Sequence, residues 1–279
     1  MISAAAGKLA LIAGAGALPA AVVAAMVAAG VARPLICALD GYAPTDLRPD
    51  LTFRLERLAP TLRALSDQGV TEVAFAGAVQ RPRLDPALFD PATAQLVPRL
   101  LAAMQSGDDA TLREVIAIFE DQDFTIRAIS DLAPSLLPGP GLLAGILTPQ
   151  DEADATRAAA VVAALGSVDV GQGACVAQGL CLAVEALPGT DAMLTAVANL
   201  PATLRPNPAL GRGLLYKAPK PGQDRRIDQP TIGPHTMTQA AAAGLGGVAF
   251  AAGQVLCLDL PEMQAQATRL GLFLWSRPC

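Results

Sequence analysis

Histidine is nearly missing from this chain: His235 stands alone in 279 residues. That excludes a multi-histidine zinc site and weighs against a Ser-His-Asp triad within one chain. The five cysteines, Cys37, Cys175, Cys181, Cys257 and Cys279, form no C-x-x-C pair, so no thiol-based metal or redox motif is present. Four of them lie in apolar runs, where a free thiol packs as a small hydrophobe. An odd count without metal spacing fits a reducing, cytoplasmic compartment. Basic surface is lacking too, since the net charge is −5. No nucleic-acid partner is therefore expected. Neither a G-x-x-x-x-G-K-[ST] phosphate loop nor an EF-hand loop occurs, and no internal repeat or low-complexity tail is visible.

Long apolar runs are also scarce, although 52% of the residues are hydrophobic and only 16% charged. The uncharged run 9–32 has the length of a membrane span or signal peptide. However, Gly14, Gly16 and Pro19 interrupt it, separating the strand-like "LALIA" from an alanine-rich helix that ends at Gly30. Strand, glycine turn and helix is the reading adopted. With no other candidate span, any membrane contact is expected to be peripheral.

The first half alternates short apolar runs with helical stretches. Strands are expected in "KLALIAG", "PLICALD", "EVAFAGAV" and "FTIRAI". Helices are expected in "LPAAVVAAMVAAG", "LAPTLRALSDQG", "PATAQLVPRLLAAMQ" and "DDATLREVIAIFEDQ", the last with Leu112, Val115, Ile116 and Phe119 on one face. Such βαβ alternation predicts a parallel sheet flanked by helices. A Pro- and Gly-rich stretch follows and marks a boundary. The expected division is an N-terminal α/β domain over 1–132, a crossing linker over 133–150 and a mixed α/β domain over 151–279. In the latter, apolar runs flanking "AQG" suggest a hairpin.

Charge is concentrated in "LLYKAPKPGQDRRIDQPTIG". Pro219, Pro221 and Pro230 make it a loop after a strand at 213–218, because proline lacks an N–H and restricts its predecessor. It is either a solvated surface loop or a seat for a phosphorylated ligand, with Lys217, Lys220, Arg225 and Arg226 as anchors. "GAGALP" at 14–19 joins the first strand to the first helix, where glycines and a helix N-terminus favour an anion. It could serve a dinucleotide, with Asp40 at the end of the second strand binding ribose, or no ligand at all. Proline at 19 departs from G-x-G-x-x-G. "FAGAVQRP" places Gly77 and Arg81 at another strand end. Asp108 and Asp109 could cap a helix. Glu185, Asp191 and Asp228 offer hard oxygen ligands for Mg²⁺. His235 is either a general base or merely solvated at a helix edge.

Taken in order, "GKLALIAGAGALP", "VAFAGAVQRP", "GDDATLREV", "DVGQGACV", "LAVEALPGTDAML", "LLYKAPKPGQDRRIDQPTIG", "AAAAGLGGVAF" and "GLFLW" resemble the UDP-2,3-diacylglucosamine pyrophosphatases of lipid A biosynthesis, in the form common among alphaproteobacteria. The matching segments span nearly the whole chain. The resemblance implies hydrolysis of a UDP-sugar diphosphate to UMP and 2,3-diacylglucosamine 1-phosphate (lipid X), with Mg²⁺ or Mn²⁺ as cofactor. It also implies a Rossmann-like N-terminal domain, a distinct C-terminal domain and a ligand held between them. In the family's Q-x-x-R-x-D stretch the aspartate is essential, and here it is Asp228; Gln223 and Arg226 occupy the other two positions. Arg225 and His235 fall where the family varies. Substrate binding is implied for Gly14, Gly16, Leu18, Pro19, Gly77, Gln172, Thr190, Lys217, Lys220 and Thr231 as well. Attack at the phosphorus nearer the sugar, a homodimer and contact with the inner membrane surface are further implications. The crossing segment 132–147 is one candidate for lining an acyl groove. A non-hydrolytic nucleotide-sugar or dinucleotide-binding protein, and an NAD-dependent oxidoreductase, are the alternatives.

Overall fold

The computed structural model describes residues 7–79 and 84–278. They form an α/β structure with two compact units. One comprises the chain up to Ser135 together with Asp224–Asp228; the other comprises Leu136–Gln223 and the chain from Gln229 onward.

The first unit holds a five-stranded sheet of β1 (Lys8–Ala13), β2 (Leu35–Leu39), β3 (Leu51–Phe53), β4 (Val70–Ala76) and β5 (Thr125–Ile126). All neighbours are parallel and the order is β3-β2-β1-β4-β5. This is the order of a doubly wound sheet. Its helices are α1 (Leu18–Ala28), α2 (Leu58–Asp67), α3 (Pro91–Ala94), α4 (Val97–Ser106), α5 (Asp108–Glu120) and α6 (Ile129–Leu132). Apolar runs become central strands here because helices cover sheet residues that would otherwise meet water. Leu11 and Ile36 are fully buried. From α5, Ile116 and Phe119 enter the core, and Phe119 meets Phe75 edge-on with ring centroids 5.1 Å apart.

The uncharged run 9–32 thus resolves into β1, a turn and α1. Among the described residues no helix is long and apolar enough to cross a membrane. Two local expectations need correction. "PATAQLVPRLLAAMQ" is not one helix but α3 and α4, because Pro98 in the first turn of α4 lacks the N–H that a continuous helix would need. The sequence reading also passed over β3, whose three residues are too few to show a period.

The second unit contains β6 (Gly141–Ala144), β7 (Gly173–Ala177), β8 (Leu180–Val184), β9 (Leu214–Lys217), β10 (Thr231–Ile232), β11 (Gly247–Ala251), β12 (Leu256–Cys257) and β13 (Phe273–Arg277). Its six-stranded sheet runs β6-β13-β11-β9-β7-β8, while β10 and β12 form a separate parallel pair. Strands β9, β11 and β13 are parallel; β6, at one edge, and β7 are antiparallel to their neighbours. Helices α7 (Pro149–Gly166), α8 (Gly189–Ala198), α9 (Pro234–Ala242) and α10 (Leu260–Leu270) complete the unit. Phe250, Leu194, Leu215 and Met237 lie in the core on one face.

The expected hairpin is β7–β8. Gln178 and Gly179 at its tip both have positive φ, the backbone of a turn whose twist matches its strands. Asp154 of α7, fully buried, accepts from the Gln178 and Gly179 amides at 2.8 and 2.7 Å. Helix and hairpin are thereby fixed to each other. The boundary segment supplies an edge strand, β6, which the surrounding prolines and glycines obscured in the sequence.

Burial raises the thiols of Cys37, Cys175 and Cys257 to about 12. At neutral pH they remain protonated and serve as packing, not as nucleophiles.

Candidate functional site

In a doubly wound sheet, ligands lie beyond the carboxyl ends of the strands where the winding reverses. Here that point falls between β1 and β4, and "GAGALP" and Gly77 occupy it. The Gly14 amide donates to the Ala76 carbonyl at 2.8 Å, while Ala15 and Ala78 exchange backbone hydrogen bonds at 2.9 Å. The two turns are so close that a Cβ on Gly77 would stand 2.6 Å from the Gly14 carbonyl oxygen. One on Gly14 would stand 2.7 Å from the Ala78 oxygen. Gly16, at φ +92°, opens onto free space. Leu18 begins α1 and Pro19 lies in its first turn, preceded by Ala17, which provides no side-chain cap. A helix start of this kind presents backbone N–H groups and a positive dipole end to an anion. Arg81, also singled out from the sequence, lies outside the described residues.

This close approach yields an expected result. Gly77→Ala must place a side chain at φ +97° and against backbone. A strained backbone of that kind costs about 1–3 kcal/mol before any clash is counted. The variant should melt several degrees lower and lose activity further than its folded fraction explains; thermal unfolding beside initial rates checks both.

In the second unit, four residues marked in the sequence gather at one end of the sheet. Lys217 ends β9 opposite Gly173 of β7, and the Gln172 carbonyl accepts from the Ala218 amide at 3.0 Å. Glu185 follows β8, and Thr190 opens α8. The Lys217 ammonium donates to Thr190 Oγ1 at 2.6 Å. Thr190 in turn donates to Glu185 Oε2 at 2.9 Å, which lies 3.5 Å from the ammonium. Lys217 is 7% exposed. Burying a cation without a countercharge is costly, and the Glu185 carboxylate lies beside Lys217. The cluster presents a fixed cation through an ordered hydroxyl.

Further along the loop, Lys220 has an ion pair with Asp169, and its amide donates to Gln223 Oε1 at 2.8 Å. Gln223 therefore shapes the turn. Thr231 lies in β10, its hydroxyl donating to the Gln229 carbonyl at 3.2 Å.

Asp224–Asp228 packs with the first unit, where Ile227 joins the hydrophobic core. Arg226 is held between Asp224, at 2.7 Å, and Glu120, at 2.8 Å. Hydrogen bonding to the Arg226 guanidinium keeps the Asp224 carboxyl below the usual carboxylate range, and the same pair raises Arg226. The Asp228 amide donates to the Asp224 carbonyl at 3.2 Å, closing one helical turn. Arg226 is thus an ion-network residue that positions this turn. Asp224, Glu120 and Asp169 were missed in the sequence; only Asp224, two residues before Arg226, left a local sign.

Glu185 faces the Lys217 ammonium, and Asp191, 70% exposed, lies 3.8 Å from His235. Among the described residues no three His, Cys, Asp or Glu side chains gather to hold a metal ion. Asp108 and Asp109 occupy the first turn of α5, and Asp109 binds Arg113 at 2.6 Å. Both suit the helix dipole there. A cavity of about 740 Å³ lined by Ile146, Leu210 and Phe273 adjoins Gly246 and Leu272, at the strand starts. Ile146 belongs to the crossing segment, so this cavity lies at the opposite end of β9 from Lys217.

These features define a class: a two-unit α/β protein with a glycine-lined strand–helix turn on one sheet and a buried lysine cluster on the other. Residues 8–136 match the LpxI N-terminal domain and residues 140–275 the LpxI C-terminal domain. The chain is also similar to the UDP-2,3-diacylglucosamine pyrophosphatase LpxI of Caulobacter vibrioides, with 39% identity over 269 residues, 96% of each chain. It belongs to the LpxI family.

Proposed function

We propose that the protein hydrolyses the diphosphate of UDP-2,3-diacylglucosamine to UMP and 2,3-diacylglucosamine 1-phosphate, a step of lipid A biosynthesis. The observation that carries this reading is the full-length similarity to the Caulobacter pyrophosphatase. The chemistry of the residues supports it. Attack by water on a diphosphate builds charge on oxygens that are already anionic, so fixed cations and dipoles lower the barrier. Lys217, ordered by Thr190 and Glu185, is a fixed cation of this kind in the second unit, and the uncapped start of α1 is a fixed dipole in the first.

In the proposed step, Asp228 orients the water and takes its proton while the water oxygen bonds to the phosphorus nearer the sugar. The bond from that phosphorus to the bridging oxygen breaks, and UMP leaves with the oxygen. Arg226 holds the turn that carries Asp228. Mg²⁺ or Mn²⁺, when bound, would neutralise phosphate charge. Mg²⁺ typically uses one or two carboxylates and the substrate's phosphates, so Asp228 alone suffices as a protein ligand. Contact with the inner membrane is peripheral in this reading and made through the acyl chains, each buried CH₂ contributing about 0.8 kcal/mol.

The test is UMP release from UDP-2,3-diacylglucosamine by the purified chain. Release should stop in excess chelator and resume with Mg²⁺ or Mn²⁺. Binding without UMP release would make the protein a nucleotide-sugar binder. Full activity in chelator, with no metal retained, would remove the metal from the reading.

A further inference from the structure

A small cavity of about 160 Å³ opens beside the carboxyl end of β2, lined by Leu39, Asp40, Tyr42, Arg54, Glu56 and Leu84. The established similarities assign it nothing. Arg54 reaches two carboxylates there, Asp40 at 3.0 Å and Glu56 at 3.5 Å. Glu56 is 4% exposed and committed to the scaffold, because its Oε1 accepts from the Asp85 amide at 2.9 Å. Asp40 differs: it is half exposed, and Arg54 binds only its Oδ2. A second acceptor thus remains on the same, already oriented, carboxylate. Tyr42 packs against the core and gives the cavity an apolar wall.

Among the described residues that line it, two carboxylates face one guanidinium, a balance that disfavours phosphate and suits hydroxyl donors. The neighbouring turn has the opposite character. The Gly16 carbonyl accepts from Thr45 at 3.1 Å, and Gly16 bridges Pro44. The loop after β2 is thereby attached to the anion-favouring start of α1. A phosphate seat and a hydroxyl seat stand side by side on one sheet edge. A nucleoside monophosphate carries both groups on one sugar, the phosphate at C5′ and the hydroxyls at C2′ and C3′.

We propose that Asp40 binds the ribose cis-diol of the uridine, with Arg54 orienting its carboxylate and Tyr42 walling the cavity. This rests on the hydrolase reading for the identity of the nucleoside, but its test does not need turnover.

The experiment is calorimetric titration of the full chain with UMP and with 2′-deoxy-UMP, for wild type, Asp40→Asn and Asp40→Ala. A hydrogen bond to a charged acceptor is worth enough for about tenfold. Wild type should bind UMP about tenfold tighter than the deoxy analogue, and in both variants the gap should shrink to about twofold or less. The exposed pair with Arg54 adds little stability, so the variants should fold, as thermal unfolding will verify. Should one fail to fold, the wild-type comparison alone still decides. Equal wild-type affinities, a gap that persists in Asp40→Asn, or no UMP binding at millimolar concentration would each overturn the proposal. UMP release by wild type is measured in parallel. Turnover without ribose discrimination overturns the seat alone. Discrimination without turnover supports the seat and removes the hydrolase reading.

Discussion

Asp228→Ala should abolish hydrolysis, by about 100-fold or more, while folding and substrate binding stay nearly intact. Structure gives the first half of the reason. The turn at Asp224–Asp228 is closed through the Asp228 backbone amide and anchored by Ile227 and by the Arg226 pairs. Truncating the carboxylate leaves those anchors in place. Charge gives the second half. Removing an anion from a site for a diphosphate relieves repulsion in the bound ground state, so affinity need not fall. What disappears is the group that orients and deprotonates water, and that matters in the transition state. Single-turnover hydrolysis beside equilibrium binding measures both quantities. A variant that keeps more than roughly a tenth of the wild-type rate would end the catalytic assignment.

Lys217→Ala should fail differently, losing stability and activity together. Lys217 and Glu185 side chains are 8% and 12% exposed. Deleting the ammonium strands a nearly buried carboxylate, a change that costs about 3 kcal/mol or more. The fixed cation is lost as well, so both binding and turnover should fall, with kcat/KM down by about 100-fold. The double variant Lys217→Ala/Glu185→Gln separates the two effects. Its amide needs no countercharge, so chemical denaturation should show most of the stability restored, whereas activity stays low. If the double variant recovered activity along with stability, Lys217 would be a scaffold residue and not a phosphate anchor.

How much of this could be read from the sequence depends on how far apart the interacting residues lie. The βαβ half was legible because strands such as β2 are buried along most of their length and helices such as α5 carry a clear apolar face. Strands β3 and β6 were not, being too short for periodicity and, for β6, flanked by glycine and proline. At the site, the strand–helix junction at "GAGALP" was readable from its glycines and proline. The closeness of Gly14 and Gly77 was not, since it depends on which strands become neighbours. Lys217 stood out by its charge, but its partners Glu185 and Thr190 lie more than two dozen residues upstream and meet it only through sheet pairing. The pairing of Arg226 with Glu120, 106 residues away, leaves no trace in the loop. Asp154 is a similar case: nothing beside it in the sequence marks it, yet it is fully buried and holds the hairpin turn.

The most direct measurement is turnover of UDP-2,3-diacylglucosamine by the purified chain in water enriched in heavy oxygen, followed by mass spectrometry of both products. The account predicts UMP and 2,3-diacylglucosamine 1-phosphate in equal amounts, with one heavy oxygen in the sugar phosphate and none in UMP. Heavy oxygen in UMP would contradict attack at the phosphorus nearer the sugar, and the absence of UMP would contradict the hydrolase itself.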